Sequence, residues 1–211
     1  VEQEALGVRR EETDVPSWLI PSLYRQYLRT GDARELRRVF YHNLEDILSL
    51  VTLATHLCRL FIPAHTSALL DELHPVDRVS LGRSYEELGW VDASEEAYRR
   101  AVAAPLRRAV RERALSRLSF LLKRQGRREE AARLWRTWSN EASNGHLTPF
   151  VELAKHHEWH VVDLPLALVW TQQAIQRVEA WPPSPRRCRA LAELQHRLNR
   201  LRRKLAKASG G

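Results

Sequence analysis

A histidine and an aspartate at positions 42 and 46 are of types that could carry out chemistry together. On a helix, residues four positions apart project from the same face, so His42 and Asp46 can point at one site. An aspartate carboxylate can hold a divalent metal ion, and a histidine can take a proton from a metal-bound water. The spacing is therefore compatible with a hydrolytic site in which His42 is the catalytic base and Asp46 the metal ligand.

Three helices are predicted to position this pair. Pro21 suits a first helical turn and Gly31 suits a left-handed C-terminal position, which predicts a helix over residues 21–30. A short helix then runs from Ala33 to about Tyr41, and Asn43 can cap a third helix that reaches about Leu60. Asp46 would lie in the first turn of that third helix, where the backbone amides favour a carboxylate. A capping role without a metal is therefore an alternative for Asp46.

The third helix is predicted to have an apolar face, because Ile47, Leu50 and Leu53 recur at helical spacing and should face a core. Tyr41 is a second candidate for the role given to His42. It lies five residues before Asp46 rather than four, so the spacing favours His42.

Several short motifs occur in order between Val8 and Leu60. They are Arg9-Arg10, Asp14-Val15-Pro16, Ile20-Pro21-x-Leu23-Tyr24, Tyr27-Leu28-Arg29-Thr30-Gly31-Asp32 and His42-Asn43-x-x-Asp46-x-Leu48-Ser49-Leu50. Together they resemble the C-terminal end of a YprB-type RNase H-like exonuclease domain. The resemblance implies that Asp46 is the final acidic ligand of a site that binds Mg or Mn. It also implies that His42 lies near the attacking water and that nucleic acid, either DNA or RNA, is the substrate.

The earlier acidic ligands of that family, an Asp-x-Glu pair on the first strand and a further Asp, have no counterpart in this chain. One carboxylate cannot hold two metal ions around a phosphodiester, so this chain alone is predicted to be inactive. The chain begins at Val1 and contains no Met, which favours a missing N-terminal part that carries the sheet and the other ligands. A short protein that starts at a valine codon is the alternative.

The composition favours a mainly α protein, because Leu, Ala, Arg and Glu are abundant and only 8 glycines occur in 211 residues. The net charge of +8 suits a nucleic-acid partner, although an arginine-rich genome would give the same composition. Cys58 and Cys188 lack the spacing of a zinc site or a disulfide framework. No apolar run is long enough for a membrane span, so we expect no membrane partner and a cytoplasmic location.

A repeated pattern follows residue 77. Leu81-Gly82-x-x-Tyr85-x-x-x-Gly89 with Tyr98 and Ala101 is followed by Leu118-Ser119-x-x-Leu122-x-x-x-Gly126 with Ala131 and Trp135. A looser third copy contains Leu153-Ala154, Ala167, Trp170 and Ala174. This pattern resembles tetratricopeptide repeats, in which small residues let paired helices approach, and it implies a groove for a peptide or protein partner.

A basic helix is predicted from about Arg186 to Ala206. Its leucines share one face, and Arg197, Arg200 and Arg203 are candidates for contacting nucleic acid. A solvated cap on the repeat array is the favoured alternative, because charge runs usually face water. In the nearby segment His156-His157-Glu158-Trp159-His160, the zinc-protease motif H-E-x-x-H is not made, because the fifth position from His157 is Val161. His156 and His160 have the spacing to share a metal, but no third ligand is in view, so surface or inter-helix histidines are favoured.

The predicted fold class is mainly α, with the C-terminal helices of an RNase H-like α/β domain followed by a tetratricopeptide-like α-solenoid. The predicted segments are 1–62 for the nuclease-like part, 63–76 for a linker, 77–180 for the repeats, and 181–211 for a proline-rich link, the basic helix and a tail. The predicted function is a metal-dependent exonuclease fragment. The alternative is a protein-interaction scaffold without nuclease activity.

Overall fold

The computed structural model describes residues 15–62, 66–143 and 145–209. Within these ranges the chain forms helices and no strand, which confirms the mainly α class. A short 3-10 turn, Ser17–Leu19, precedes the first α-helix. The α-helices are α1 (Ile20–Thr30), α2 (Arg34–Leu60), α3 (Thr66–Glu72), α4 (Pro75–Glu87), α5 (Val91–Ala103), α6 (Arg108–Arg124), α7 (Arg128–Glu141), α8 (Thr148–His156), α9 (Leu164–Glu179) and α10 (Pro185–Ser209).

The chain divides between Leu69 and Leu70 into two compact units. The predicted linker over 63–76 is partly helical, since α3 and the start of α4 fall inside it. None of the described helices is long and apolar enough to cross a membrane.

In the first unit, α1 ends as its sequence predicts. Gly31 has a φ of 70°, and its N–H donates to the carbonyl of Tyr27 at 2.8 Å. Only glycine reaches that left-handed backbone without steric cost, so the residue type fixes the end of the helix.

The prediction of two helices after Gly31 is wrong, because α2 runs unbroken from Arg34 to Leu60. No glycine or proline occurs in that stretch, so nothing interrupts the hydrogen-bond ladder at Asn43. Asn43 is not a cap, and Asp46 lies in the middle of the helix instead of its first turn. The capping alternative for Asp46 is thereby excluded.

The second unit is built from consecutive helices packed in pairs, α4 with α5, α6 with α7 and α8 with α9. In the first pair, a Cβ on Gly82 would lie 2.8 Å from the ring of Tyr98, so only glycine permits this approach. Ser94 on the same helix as Tyr98 donates a hydrogen bond to the carbonyl of Gly82 at 2.8 Å. Small residues at this crossing therefore set the distance between the two helices.

Successive pairs share one apolar core and a set of ion pairs. The core includes Tyr98, Leu122, Trp135, Leu153 and Val178, contributed by five different helices. Arg99 of α5 binds Glu130 of α7 at 2.8 Å, and Arg127 binds Glu95 at 2.6 Å. Helix α10 then packs on α9 and buries Leu194, Leu198 and Leu201, as its leucine spacing predicted. This packing closes the end of the array that α9 would otherwise expose.

Candidate functional site

The predicted catalytic pair lies on one face of α2. The Nε2 atom of His42 is 3.4 Å from Oδ2 of Asp46, and both side chains are partly exposed. The four-residue spacing and the uninterrupted helix produce this approach without help from any other element. A carboxylate at this distance can hold the imidazole ring in one orientation.

The described residues do not complete a metal site around Asp46. No group of three His, Cys, Asp or Glu side chains that could hold a metal ion occurs in the described parts of the chain. A divalent Mg or Mn site needs several oxygen ligands, and two-metal hydrolysis needs carboxylates on both ions. Any metal held by Asp46 would therefore require ligands from outside the described residues.

The apolar face of α2 lies next to this pair. Of the predicted core residues, Ile47 and Leu50 are exposed in the first unit, with Leu50 65% accessible, whereas Leu53 is half-buried. Leu44, Leu48 and Val51 are exposed as well. The prediction that this face meets a core is therefore not met among the described residues, because no other described element of the first unit covers it.

The predicted arginines of α10 have different environments. Arg197 Nη1 lies 3.1 Å and Arg200 Nη2 lies 2.7 Å from Oε2 of Glu158, and Lys204 Nζ lies 2.8 Å from Oε1. Arg203 is exposed on the same helix. Two of the three candidate arginines are thus engaged within the protein, while Arg203 faces solvent.

Glu158 is the centre of this cluster, and its side chain is fully buried. Burial alone would raise the pKa of its carboxyl, but hydrogen bonds from Lys204 and Arg200 lower the pKa below the ordinary value. A buried carboxylate is stable only when paired in this way. The cluster joins the segment after α8 to α10. Because Glu158 binds these cations, fewer basic side chains of α10 are available to a partner than its sequence indicates.

Glu158 was not identified as important from the sequence. It follows His156 and His157, in a segment whose sequence indicates only possible metal ligands. Both histidines are buried, and burial lowers the pKa of each imidazole, with the neighbouring His156 adding to the effect on His157. The only signal in the sequence is a charged residue, Glu158, in the segment between α8 and α9.

A family model described as the RNase_H superfamily matches residues 1–58, which include His42 and Asp46. The uncharacterized protein YprB of Bacillus subtilis is 29% identical over 180 residues, which is 83% of this chain and 41% of that protein. These matches support an RNase H-like domain. The chain spans about two fifths of the length of this relative.

The likeness to YprB extends beyond the nuclease-like part, because 180 aligned residues exceed the 58 matched by the superfamily. The described helical pairs therefore fall at least partly within a region shared with that relative. Enzymes of the RNase H superfamily act on nucleic acid and generally depend on divalent metal ions.

Proposed function

We propose that residues 1–62 are the C-terminal part of an RNase H-like exonuclease domain that hydrolyses nucleic-acid phosphodiesters with Mg or Mn. The observation that carries this proposal is the His42–Asp46 pair, 3.4 Å apart on one helix face within the span matched by the superfamily. Asp46 would supply one acidic ligand. His42 would accept a proton from the attacking water.

The remaining ligands would come from polypeptide that this chain does not contain. Two observations support this step: the uncovered apolar face of α2, and the greater length of the YprB relative. A helix with leucines exposed along one face is typical of a helix that packs on a sheet or another helix. We propose that the sheet of the nuclease domain covers this face in the longer protein.

The test is a cleavage assay on labelled single strands of DNA and RNA with Mg or Mn. We expect the 211-residue chain to be inactive and a polypeptide extended upstream to include the missing acidic residues to be active. His42→Ala and Asp46→Asn should each abolish most of that activity, since one removes a base and the other a ligand. Robust cleavage by the short chain, lost in either variant, would show that the other ligands are present after all.

A second candidate function is a tetratricopeptide-like scaffold that binds a peptide or protein partner. The close approach of Gly82 to Tyr98 favours it, because a small residue opposite an aromatic ring is the packing that such repeats use. Under this proposal the nuclease-like helices contribute packing only. An extended polypeptide that lacks an Asp-x-Glu pair on its first strand, and does not cleave either nucleic acid, would favour the scaffold.

A further inference from the structure

A small pocket lies beside the segment that follows α8. It has a volume of about 170 Å³. Its lining combines three cations, two imidazoles, two indoles and one carboxylate, supplied by α6, α7, α8 and the residues after α8. These are Lys123, Arg128, Lys155, His156, His160, Trp135, Trp159 and Glu152. A pocket lined in this way is suited to an anionic ligand with a flat ring.

The backbone next to the pocket is irregular. His157–Val161 form a π-helical turn, and Val162 has a left-handed φ of 60°. The N–H of Asp163 returns to the carbonyl of His157 at 2.9 Å. A β-branched residue rarely adopts this backbone, and π-helical turns are frequent at functional sites. The wider turn leaves Trp159 and His160 exposed while the preceding residues stay buried.

His156 supplies an unpartnered polar group at the pocket. Its ring is only 2% exposed, and neither ring nitrogen has a hydrogen-bond partner among the described residues. The carboxylate of Glu129 lies 3.4 Å from Nε2 without forming a hydrogen bond. Leaving a buried donor or acceptor unsatisfied is unfavourable, so a ligand atom that pairs with His156 would bind more tightly.

The charges around the pocket favour an anion. Lys123 and Lys155 lie 2.5 Å and 2.7 Å from the two oxygens of the buried Glu152. Arg128 is exposed and has no ion pair within the described ranges. Three cations thus face two carboxylates, Glu152 and the largely exposed Glu129. Because both oxygens of Glu152 are occupied by lysines, the uncompensated charge at the pocket is positive.

Trp159 adds a flat surface at the pocket mouth. Its side chain is 51% exposed, and the guanidinium groups of Arg197 and Arg200 lie 5.7 Å and 5.9 Å from its ring centre. Both arginines are fixed by the buried Glu158, so the indole is held in place before any ligand arrives. An exposed, immobilised aromatic ring costs little conformational entropy when a second ring stacks on it.

We propose that this pocket binds a nucleotide of a single-stranded nucleic acid, with the base stacked on Trp159 and a phosphate beside Arg128 and Lys155. Cationic grooves with aromatic platforms bind single strands because every base has a face that can stack. The inference rests on the proposed function, since it supplies a binding site for the substrate class of the nuclease. It places that site on the helical array instead of on the basic face of α10.

The lining of the pocket favours a nucleotide over an acidic peptide. Sites that enclose a small-molecule ligand usually have about 300–1,000 Å³, whereas this pocket offers about 170 Å³, so the base would stack on the exposed Trp159 at the mouth instead of being enclosed. A peptide would also need partners for its backbone amides, and the lining has no asparagine or glutamine side chain. A flat ring with an adjoining phosphate matches the exposed indole and the charges.

The first experiment measures binding of a short fluorescein-labelled oligothymidylate to the intact chain in EDTA, which prevents cleavage. Trp159→Leu should lower affinity by about five- to 140-fold, the equivalent of about 1–3 kcal/mol of stacking at about 1.4 kcal/mol per tenfold change. Trp18→Leu is the matched control, because Trp18 is also exposed but belongs to the first unit. Equal affinities of the two variants would overturn the proposal.

A second variant tests the phosphate contact without touching the Glu158 cluster. Arg128→Gln should weaken binding and reduce the magnitude of the slope of log affinity against log salt by about 0.7, the value for one phosphate contact on a single strand. Arg133→Gln, an exposed arginine on the same helix, should leave affinity and slope unchanged. Equal slopes for the two variants would overturn the phosphate assignment, whatever the folding of the Trp159 variant.

A competition experiment separates the ligand classes. Polyglutamate should fail to displace the oligonucleotide, because it has no ring to stack on Trp159; displacement at similar concentrations would assign the pocket to an acidic peptide. Failure of the longer protein to cleave would refute the nuclease proposal but not pocket binding, whereas failure of the oligonucleotide to bind would refute this inference alone.

Discussion

The two units of this chain use leucine-rich helices in opposite ways. In the first unit, α2 exposes Leu44, Ile47, Leu48 and Leu50. In the second, the leucines of α6 at positions 115, 118 and 122 are almost completely buried, and α6 packs between α5 and α7. The two helices have similar apolar residues, so burial is decided by the presence of neighbouring elements.

The comparison shows that the spacing of apolar residues predicts which face of a helix is apolar, but not which element covers that face. The second unit contains the elements that its apolar faces need. The first unit does not contain them among its described residues, and a helix of this kind gains little stability from its own propensity. We therefore expect the difference in local stability between the two units to exceed the change in stability that any single substitution causes.

Amide hydrogen exchange should give the largest contrast. Residues 20–60 should exchange through local openings of low free energy, whereas residues 80–175 should exchange near the limit set by global unfolding. The difference follows from the sparse packing of α2 and the dense core of the second unit. Equal or greater protection of residues 20–60 would mean that the first unit is stabilised by contacts that its exposed leucines do not reveal.

Two leucine-to-alanine substitutions, one in each unit, test the same difference in packing at single side chains. Leu122→Ala should lower the free energy of unfolding by about 2–5 kcal/mol, because it opens a cavity at a residue with 0% exposure. Leu50→Ala should change it by about 0.5 kcal/mol or less, because Leu50 is exposed and alanine favours helix. Chemical denaturation followed by circular dichroism measures both. A large loss for Leu50→Ala would show that α2 packs against something in solution.

The arginines of α10 provide a similar pair. Arg200→Glu should lower the free energy of unfolding by about 2 kcal/mol, because it places a carboxylate beside buried Glu158. This is less than the roughly 3–5 kcal/mol for a fully buried pair, since the Arg200 side chain is 32% exposed. Arg203→Glu should change it by about 0.5 kcal/mol or less.

Thermal melting of the two charge-reversal variants measures this difference. Similar melting temperatures would indicate that the Glu158 cluster does not hold α10 in solution. A solvated cap, the alternative that the sequence favoured, implies small effects of charge reversal at Arg197, Arg200 and Arg203. The structure restricts that expectation to Arg203.

The smallest effect concerns pH. The pKa of Glu158 is lowered in the folded state, so its ion pairs contribute stability above the unfolded pKa of about 4.5 and lose that contribution as the pH falls through the folded pKa. The melting-temperature difference between the unchanged chain and Glu158→Gln should therefore be constant from pH 7 to about 5 and shrink below about 4.5. Glu193→Gln, an exposed control on α10, should show no such trend. A constant difference down to pH 3 would contradict a charged Glu158.

Much of the fold was predictable because local residue types determine it. Pro21 and Gly31 indicated the limits of α1, and the leucines of α10 indicated its buried face. The break at Asn43 was predicted wrongly. Asn43 can cap a helix, but α2 contains no helix breaker, and the continuous helix is therefore favoured.

The candidate site was predictable only where spacing along one helix was sufficient. The approach of His42 to Asp46 follows from four residues of α-helix, so the sequence determined it. The Glu158 cluster and the pocket at His156 join residues that are about 30 to 45 positions apart, such as Lys123 with Glu152 and Glu158 with Lys204. Only the packing of helices brings such residues together, and one sequence carries no record of those distances.

By itself, the sequence determined the helical class, the limits of individual helices and the His42–Asp46 pair, because these depend on backbone preferences and short periodic spacing. The tertiary structure decided which apolar faces are covered, that Arg200 is an internal partner whereas Arg203 faces solvent, and that His156 lies unpaired beside a basic pocket. The physical reason is that burial and electrostatic pairing are properties of neighbours in space. Residues of identical type on one helix therefore acquire different roles.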